Sequence, residues 1–226
     1  MIIPARFNGP PGSANGGYAC GLFSEALGGG FEITLPLPPP LDTQLEIVGD
    51  ELRHGDVVVA RARRAAHSDE DLPAPVSLAE AEDATKRYAG FQHHAYPTCF
   101  TCGPERDDGL GIFAGPVEGR EGVVAAPWTP GPEIRAEIVW AALDCPAGWA
   151  VDDFQREGVL LGRMAASIHG RPEPGEAHVV VGWRIGEDGR KRFAGSALHT
   201  ADGELVAHAR STWIVPATET DRAPGA

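Results

Sequence analysis

The segment FNGPPGSANGGYACGLFSEALGG, residues 7–29, places a turn-rich stretch directly before an apolar one. Gly, Pro, Asn and Ser dominate its first part, which predicts a loop whose Ser13 or Asn15 caps the helix that follows. Residues 18–27 are mostly apolar and predict a buried helix, which ends where three consecutive glycines begin. The chain therefore opens with a loop that leads into a buried helix.

A second apolar segment, EIVWAALD at residues 137–144, is hydrophobic nearly all round. That pattern predicts a helix buried in the core. Pro146 and Gly148 follow, and they are expected to break or bend the helix, because proline lacks the N–H that a helix interior uses. Each half of the chain thus contains one predicted buried helix.

Nine further segments are rich in alternating or continuous apolar residues between turn-forming residues, which predicts strands. They are residues 31–37, 44–48, 56–65, 110–115, 122–128, 159–168, 177–185, 192–200 and 204–215. Residues 77–88 predict a short exposed helix. The 29 glycines and 20 prolines favour turns, and therefore more strand than helix.

An internal repeat organises these elements. GDVVVARARRA at 55–65 resembles GELVAHARSTW at 203–213, and each half places a buried helix before a series of strands. The predicted organisation has four parts. They are an N-terminal repeat (1–75), a linker with a short helix and a Cys-x-x-Cys loop (76–108), a C-terminal repeat (109–216) and a disordered tail (217–226).

The chain is acidic, with a formal net charge of −13 and a pI near 5.0. Nucleic-acid binding requires a basic surface that neutralises phosphates, so a nucleic-acid partner is not expected. The N-terminal residues show no charged leader with an apolar core, and no apolar run reaches membrane-spanning length, so no membrane partner is expected. Four cysteines are too few for a disulfide framework, which favours the cytoplasm.

Three segments carry a resemblance to a known family. Residues 7–29 resemble the loop-and-helix signature of hotdog thioesterases of the phenylacetate-pathway type, and RAEIVWAALDCPAGWA (135–150) resembles the same helix in a second copy. CFTCGPERDDGLGI (99–112) is similar to the Cys-x-x-Cys-Gly stretch that opens some single-domain members. The chain is thus similar to the hotdog thioesterase superfamily in a two-repeat form. The resemblance implies an α+β double hotdog, in which each repeat has a long buried helix wrapped by an antiparallel β-sheet.

The two signatures divide the family's motif between them. In the family a His-Gly-Gly opens the helix and an acid follows two turns later. Here Asn-Gly-Gly at 15–17 stands in the first place, but Ser24 occupies the position of the acid. In the second copy Arg-Ala-Glu at 135–137 replaces the glycine motif, whereas Asp144 supplies the acid. The resemblance therefore implies one complete site, with a degenerate mirror site at Ser24.

Helix geometry gives this division a physical meaning. Eight residues of helix span about 12 Å, so a thioester bound at a helix start cannot reach an acid that far along the same helix. The acid must come from the facing repeat. Gly16 and Gly17 are the predicted oxyanion donors through their backbone N–H groups, helped by the helix dipole. Asp144 is the predicted general base or nucleophile, and Asn15 is the predicted positioning group.

The implied activity is hydrolysis of an acyl-CoA or related acyl thioester, without a metal or cofactor. A tunnel between the two helices would hold the acyl chain, and the predicted substrate-binding residues are Tyr18, Leu22, Ser24, Trp140 and Leu143. Two other functions stay open. One is a non-catalytic binder of acyl-CoA, fatty acyl or other apolar ligands. The other is a hotdog hydratase or dehydratase, which typically pairs a His with an Asp, although neither helix signature contains a His. A two-repeat chain also leaves further homo-oligomeric assembly open.

The same residues also have structural interpretations. Asp144 could cap the turn before Pro146, and residues 15–17 could form only a turn and a helix cap. Ser24 could be a nucleophile, but a hydroxyl satisfied within the core is the more common role of a buried serine.

Cys99 and Cys102 have the spacing of metal ligands, and His93 and His94 lie nearby in the sequence, which amounts to half of a zinc site. No second Cys pair follows at the usual spacing, so the sequence favours a turn packed with small, soft side chains. Cys145 and the remaining cysteine are predicted to be core residues.

Overall fold

The computed structural model describes residues 1–65, 72–151 and 158–217. Within these ranges, ten strands and three α-helices form the regular structure. They are, in chain order, α1 (Gly16–Ala26), β1 (Phe31–Thr34), β2 (Glu46–Val48), β3 (Glu51–His54), β4 (Val57–Arg64), α2 (Leu78–Thr85), β5 (Gly115–Pro116), β6 (Val123–Trp128), α3 (Ala136–Trp149), β7 (Leu160–Ile168), β8 (His178–Asp188), β9 (Lys191–Thr200) and β10 (Leu205–Ile214). Of the predicted tail at 217–226, all but residue 217 lies outside the described residues.

All ten strands belong to one antiparallel sheet, in the order β2-β3-β4-β1-β7-β10-β9-β8-β6-β5. The sheet crosses from the first half of the chain to the second where β1 pairs with β7, and Ile33 lies opposite Met164 in that register. Both of these side chains are fully buried. On each side of the β1–β7 pair the strands continue in the same way, through β4, β3 and β2 on one side and through β10, β9 and β8 on the other.

The four long strands of the second half confirm the sequence prediction to within three residues at every end. Tight turns separate β8 from β9 and β9 from β10. Gly189 and Gly203 lie in these turns with φ values of +55° and +90°, a backbone conformation that glycine adopts without steric cost.

Two parts of the sheet differ from the prediction. β3 was not predicted, because its residues, ELRH, are mostly charged; Glu51 and Arg53 pair with each other on its surface. The strand predicted at 110–115 is wrong except at its last residue. The N–H groups of Leu110 and Ile112 donate instead to the carbonyls of Phe100 and Thr101, so this segment pairs with the preceding loop and not with the sheet.

α1 begins and ends as its sequence dictates. Asn15 is the N-cap, and its side chain accepts a hydrogen bond from the Tyr18 N–H at 2.8 Å. At the other end, the Gly29 N–H donates to the Ser24 carbonyl at 2.8 Å, and Gly28 to Gly30 all have positive φ. The predicted stop at the three glycines is confirmed.

The sequence predicts a break or a bend at Pro146; the break does not occur, and α3 continues through this residue to Trp149. Every residue from Glu137 to Trp149 is buried, so packing on all sides compensates for the hydrogen bond that the proline removes. The backbone of β8 lies against this turn, since a Cβ at Gly182 would lie 2.1 Å from the Pro146 carbonyl oxygen. At 14 residues α3 is the longest of the described helices, none of which is both long and apolar enough to cross a membrane.

The two buried helices contact each other directly and run antiparallel. Cβ atoms at Gly17 and Gly21 would lie 2.6 Å from the Trp140 carbonyl oxygen and 2.8 Å from the Glu137 Cα, respectively. Only glycine allows such a close approach. α1 also packs on β1 and β7, and α3 packs mainly on β8, β9 and β10. One hydrophobic core therefore includes residues of both halves.

Candidate active site

The start of α1 is held against α3 by a chain of buried polar groups. The Asn15 side chain, which is 2 % exposed, caps the helix with its oxygen and donates from Nδ2 to the Thr101 hydroxyl at 3.3 Å. That hydroxyl donates in turn to the Ala141 carbonyl at 2.9 Å. Asn15 thus fixes the position of the helix start relative to α3.

Asp144 reaches from α3 to the start of α1. Its Oδ2 accepts a hydrogen bond from the Gly17 N–H at 2.9 Å, and its side chain is 2 % exposed. A Cβ at Gly17 would lie 2.5 Å from the Asp144 Cβ, so a larger residue cannot occupy this position without displacing the carboxylate. The other carboxylate oxygen, Oδ1, has no hydrogen-bond partner among the described residues.

Burial controls the ionisation of this carboxylate. Loss of solvent contact is the main cause that raises the pKa of Asp144 to about 7; the Gly17 N–H and the Asn15 side chain act in the opposite direction. A carboxyl group with such a pKa is present in both protonation states near neutral pH. This is a common property of groups that transfer protons in active sites.

The N–H groups in the first turn of α1 are not equivalent. Those of Gly17, Tyr18 and Ala19 already have acceptors, namely the Asp144 carboxylate, the Asn15 side chain and the Asn15 carbonyl. The Gly16 N–H has none within the described part of the chain. As far as the described residues go, this N–H is therefore free to donate to another acceptor.

A cavity of about 170 Å³ lies beside this turn. Asn15, Gly16 and Asp144 contribute to its wall, and most of the remaining lining is apolar. The other lining residues include residues 35–39, residues 159–162, Cys99, Cys145, Tyr96, Trp213 and Ile214. Asp144 and the start of α1 therefore both border a mostly apolar cavity.

The five residues predicted to bind substrate do not line this cavity. Tyr18 is buried and stacks on Phe7 with ring centroids 3.8 Å apart, and Leu143 is fully buried. Leu22 is half-buried beside the core. Ser24 and Trp140 lie instead by a separate surface depression next to β7. The direct contact of the helices at Gly21 leaves no tunnel between them at that point.

The start of α3 is different from that of α1. Arg135 is its N-cap residue and makes no side-chain cap. Its guanidinium instead forms an ion pair with Glu137, with Nε 3.2 Å from Oε1. Ser24, which the sequence comparison aligns with Asp144, is fully buried, and its hydroxyl has no hydrogen-bond partner in the described structure. The glycines and the carboxylate thus occur together only at the start of α1.

Several residues near the site were not predicted to lie there. Thr101 and Tyr96 come from the turn-rich segment 93–109, which has no periodicity, and Trp213 comes from the end of β10. The Tyr96 hydroxyl donates to the Gly158 carbonyl at 2.7 Å. Pro38 and Pro39, which follow the strand predicted at 31–37, also form part of the cavity wall. No local sequence pattern signals these long-range contacts.

The cysteine prediction requires a correction. Cys145 is buried as predicted, but it does not stand apart from the Cys-x-x-Cys turn. The sulfurs of Cys99, Cys102 and Cys145 all lie within 4.8 Å of one another, and all three are buried. Three potential thiolate ligands therefore converge beside Asp144, where the sequence indicated only two.

Neither the protein-family models nor the curated protein sequences contain a match to this chain. Solved structures do match. A proposed thioesterase from Novosphingobium aromaticivorans is 13 % identical with a TM-score of 0.63, and the match covers 96 % of this chain and 94 % of that one. A conserved protein with a hotdog fold from Alicyclobacillus acidocaldarius is 11 % identical with a TM-score of 0.62, covering 96 % and 92 %.

The chain has a hotdog fold. A third structure, the tesB protein of Mycobacterium avium subs. paratuberculosis, agrees over nearly the same length, with 14 % identity, a TM-score of 0.57 and coverage of 96 % of this chain and 91 % of that one. The resemblance to hotdog thioesterase structures that the sequence indicated is confirmed at the level of the fold. At these identities the similarity of the hotdog fold does not assign the chemistry, which depends on the site itself.

Proposed function

We propose that this protein hydrolyses acyl-CoA or related acyl thioesters. The observation that supports this most directly is the meeting of the Asp144 carboxylate with the start of α1 at one mostly apolar cavity. A thioester needs both parts: an electrostatic site for its carbonyl oxygen and a group that activates water or attacks the carbonyl. The apolar wall suits an acyl group.

The double hotdog organisation is part of the proposal. One repeat, residues 1–75, would contain α1 and β1 to β4, and the other, residues 109–216, would contain α3 and β7 to β10, with residues 76–108 as the linker. The matching strand order on both sides of the β1–β7 pair supports this division. The site then lies between repeats, because α1 supplies the helix start and α3 supplies the carboxylate.

The two glycines have different roles in this proposal. In the proposed mechanism the thioester oxygen accepts a hydrogen bond from the Gly16 N–H, at the positive end of the α1 dipole. The Gly17 N–H instead orients Asp144 by binding its Oδ2. Asn15 positions both glycines by capping the helix.

Asp144 then acts through its free Oδ1. In the water-mediated route, Oδ1 accepts a proton from water while the water oxygen bonds to the carbonyl carbon. Collapse of the tetrahedral intermediate breaks the C–S bond, and the proton moves from Asp144 to the departing sulfur. The products are a carboxylic acid and the free thiol. In the alternative route Oδ1 itself bonds to the carbonyl carbon, the C–S bond breaks, and the thiolate leaves and takes a proton from the solvent. Water then cleaves the resulting anhydride, which releases the carboxylic acid and regenerates the Asp144 carboxylate.

The predicted substrate-binding residues have a supporting role in this proposal. Tyr18, Trp140 and Leu143 pack beneath the site and hold the two helices together. The acyl group contacts the cavity wall instead, at Leu35, Leu161 and their neighbours. The hydratase alternative is weakened, because no histidine lies among the described residues that line the cavity.

The test is hydrolysis of a series of acyl-CoA esters of increasing chain length by the wild-type protein and by Asp144→Asn. Glu137→Gln is the matched control, because Glu137 is also a buried carboxylate on α3 but does not line the cavity. Hydrolysis by the wild type and the control, with loss in Asp144→Asn, is expected. Tight binding of every ester without turnover would favour the non-catalytic binder. Equal rates for all three proteins would exclude the proposed role of Asp144.

A further inference from the structure

Three cysteine sulfurs are spaced like the ligands of one metal ion. A tetrahedral zinc site with Zn–S bonds of about 2.3 Å places its sulfurs about 3.8 Å apart. The Cys99 and Cys145 sulfurs are 3.6 Å apart, and all three sulfurs lie within 4.8 Å of one another. Cys99 and Cys102 come from one turn and Cys145 from the middle of α3, so two separate parts of the chain converge on this point.

The Cys-x-x-Cys-Gly turn folds tightly around the first of these sulfurs. The Gly103 N–H donates to the Cys99 carbonyl at 2.9 Å, and a Cβ at Gly103 would lie 2.5 Å from the Cys99 backbone nitrogen. This compact turn brings the Cys99 and Cys102 sulfurs close together, as ligands of one metal ion must be.

Side-chain N–H groups surround the sulfurs as well. The Nδ1 of His94 accepts a hydrogen bond from the Tyr96 N–H at 2.9 Å, so the ring hydrogen is on Nε2. Nε2 lies 3.2 Å from the Cys102 carbonyl oxygen and 3.3 Å from the Cys102 sulfur. The Asn15 amide nitrogen lies 3.8 Å from the Cys145 sulfur and 3.9 Å from the Cys99 sulfur. Side-chain nitrogens that carry hydrogens therefore lie within 4 Å of all three sulfurs. In this arrangement His94 donates to a ligand and is not itself a ligand.

We propose that Cys99, Cys102 and Cys145 bind one Zn²⁺ ion as thiolates, with a water molecule or small anion as the fourth ligand. Soft thiolates select zinc over the oxygen-preferring Mg²⁺ and Ca²⁺. Binding releases the thiol protons to the solvent. The ion ties the 93–109 segment to α3 one residue from Asp144. This proposal does not depend on hydrolysis, and its test measures metal, not activity.

The experiment measures the zinc content of untagged protein, produced in zinc-supplemented medium and purified without chelators. Cys102→Ser is the test variant, because Cys102 does not line the cavity, and Cys20→Ala is the matched control, because Cys20 is an equally buried cysteine outside the cluster. One zinc ion per chain is expected in the wild type and in Cys20→Ala. Cys102→Ser is expected to retain less than a tenth of this amount, with an unchanged circular dichroism spectrum.

A second measurement uses the wild type alone, so that it holds even where Cys102→Ser does not fold. Cobalt is added to metal-free wild-type protein, and thiolate-to-cobalt absorption in the near ultraviolet is expected. X-ray absorption at the zinc edge should count three sulfur neighbours. Four results would overturn the proposal: no binding of added zinc or cobalt, full zinc in Cys102→Ser, bound iron in place of zinc, or a Cys99–Cys145 disulfide in place of metal.

Discussion

The starts of α1 and α3 are equivalent positions in the proposed double hotdog, yet among the described residues only the start of α1 donates a hydrogen bond to a carboxylate of the other helix. α1 begins with two glycines that let Asp144 approach to hydrogen-bonding distance. α3 begins with Ala136, and its first turn is occupied by the Arg135–Glu137 ion pair. The comparison shows that a helix start becomes a candidate site only where the backbone is open and a charged partner reaches it.

The largest effect is expected from Asp144→Asn. The variant keeps the shape of the side chain but cannot accept a proton or attack a carbonyl. We expect kcat/KM for acyl-CoA hydrolysis to fall by about 10²- to 10⁴-fold, the usual contribution of a general base. A continuous assay of free thiol release measures this. A loss of similar size in Glu137→Gln would remove the proposed difference between the two helix starts.

Gly17→Ala tests why glycine is required at the start of α1. The added Cβ would lie 2.5 Å from the Asp144 Cβ and 2.6 Å from the Trp140 carbonyl oxygen. Overpacking of this kind lowers the free energy of unfolding by about 1–3 kcal/mol. Urea denaturation measures the change, and thiol release should show lost activity under conditions where the variant is still folded.

The reciprocal variant, Ala136→Gly, gives α3 the small residue that α1 has. It should lower the free energy of unfolding by no more than about 1 kcal/mol, because it exchanges alanine for glycine in a helix. It should add no activity, since the residue that the sequence comparison aligns with Asp144 is Ser24, which is not an acid. A gain in hydrolysis would show that the second helix start is a site after all.

Asn15→Asp separates helix capping from the amide contacts. Aspartate also caps helices, so the hydrogen bond from the Tyr18 N–H is kept. The amide donor to Thr101 is lost, which leaves a buried hydroxyl without this partner. The free energy of unfolding, measured by urea denaturation, should fall by about 1–3 kcal/mol. Asn15→Ala removes both the cap and the donor, so it should lower the free energy of unfolding further. Equal stability of Asn15→Asp and wild type would mean that the amide contacts contribute nothing.

The smallest effect is expected from Ser24→Ala. Its hydroxyl is buried without a hydrogen-bond partner and lies outside the cavity lining. Replacement should leave kcat/KM within about twofold and should not lower the free energy of unfolding, because a buried unpaired polar group is itself costly. A large loss of hydrolysis would restore the substrate-binding role that the sequence resemblance assigned to Ser24.

The elements that the sequence predicts well are those whose signal is local. The Asn15 cap and the glycine stop define α1, and a continuous apolar run defines α3. The long strands of the second half have both alternation and glycine turns. The segment at 110–114 was mistaken for a strand because its apolar residues pack against a loop, a choice that composition does not encode.

The candidate site could be predicted only in part. Comparison of the two halves of the sequence predicts that Gly17 and Asp144 belong to one site, and these two residues are in contact. The cavity wall and the third sulfur depend on which distant segments meet, and nothing in the sequence around Cys145 points to Cys99 or Cys102. The helix also passes through Pro146 because tertiary packing outweighs local propensity, and packing cannot be read from a single sequence.

The pairing of β1 with β7 has a consequence for how the protein folds. This pair is short, it joins residues from opposite halves of the chain, and it brings together the parts that carry Asn15 and Asp144. Contacts between distant segments form late, because closing a long loop reduces chain entropy before the new contacts stabilise the structure. We therefore expect that neither half of the chain forms the site by itself. Asp144 would reach the start of α1 only after β1 has paired with β7.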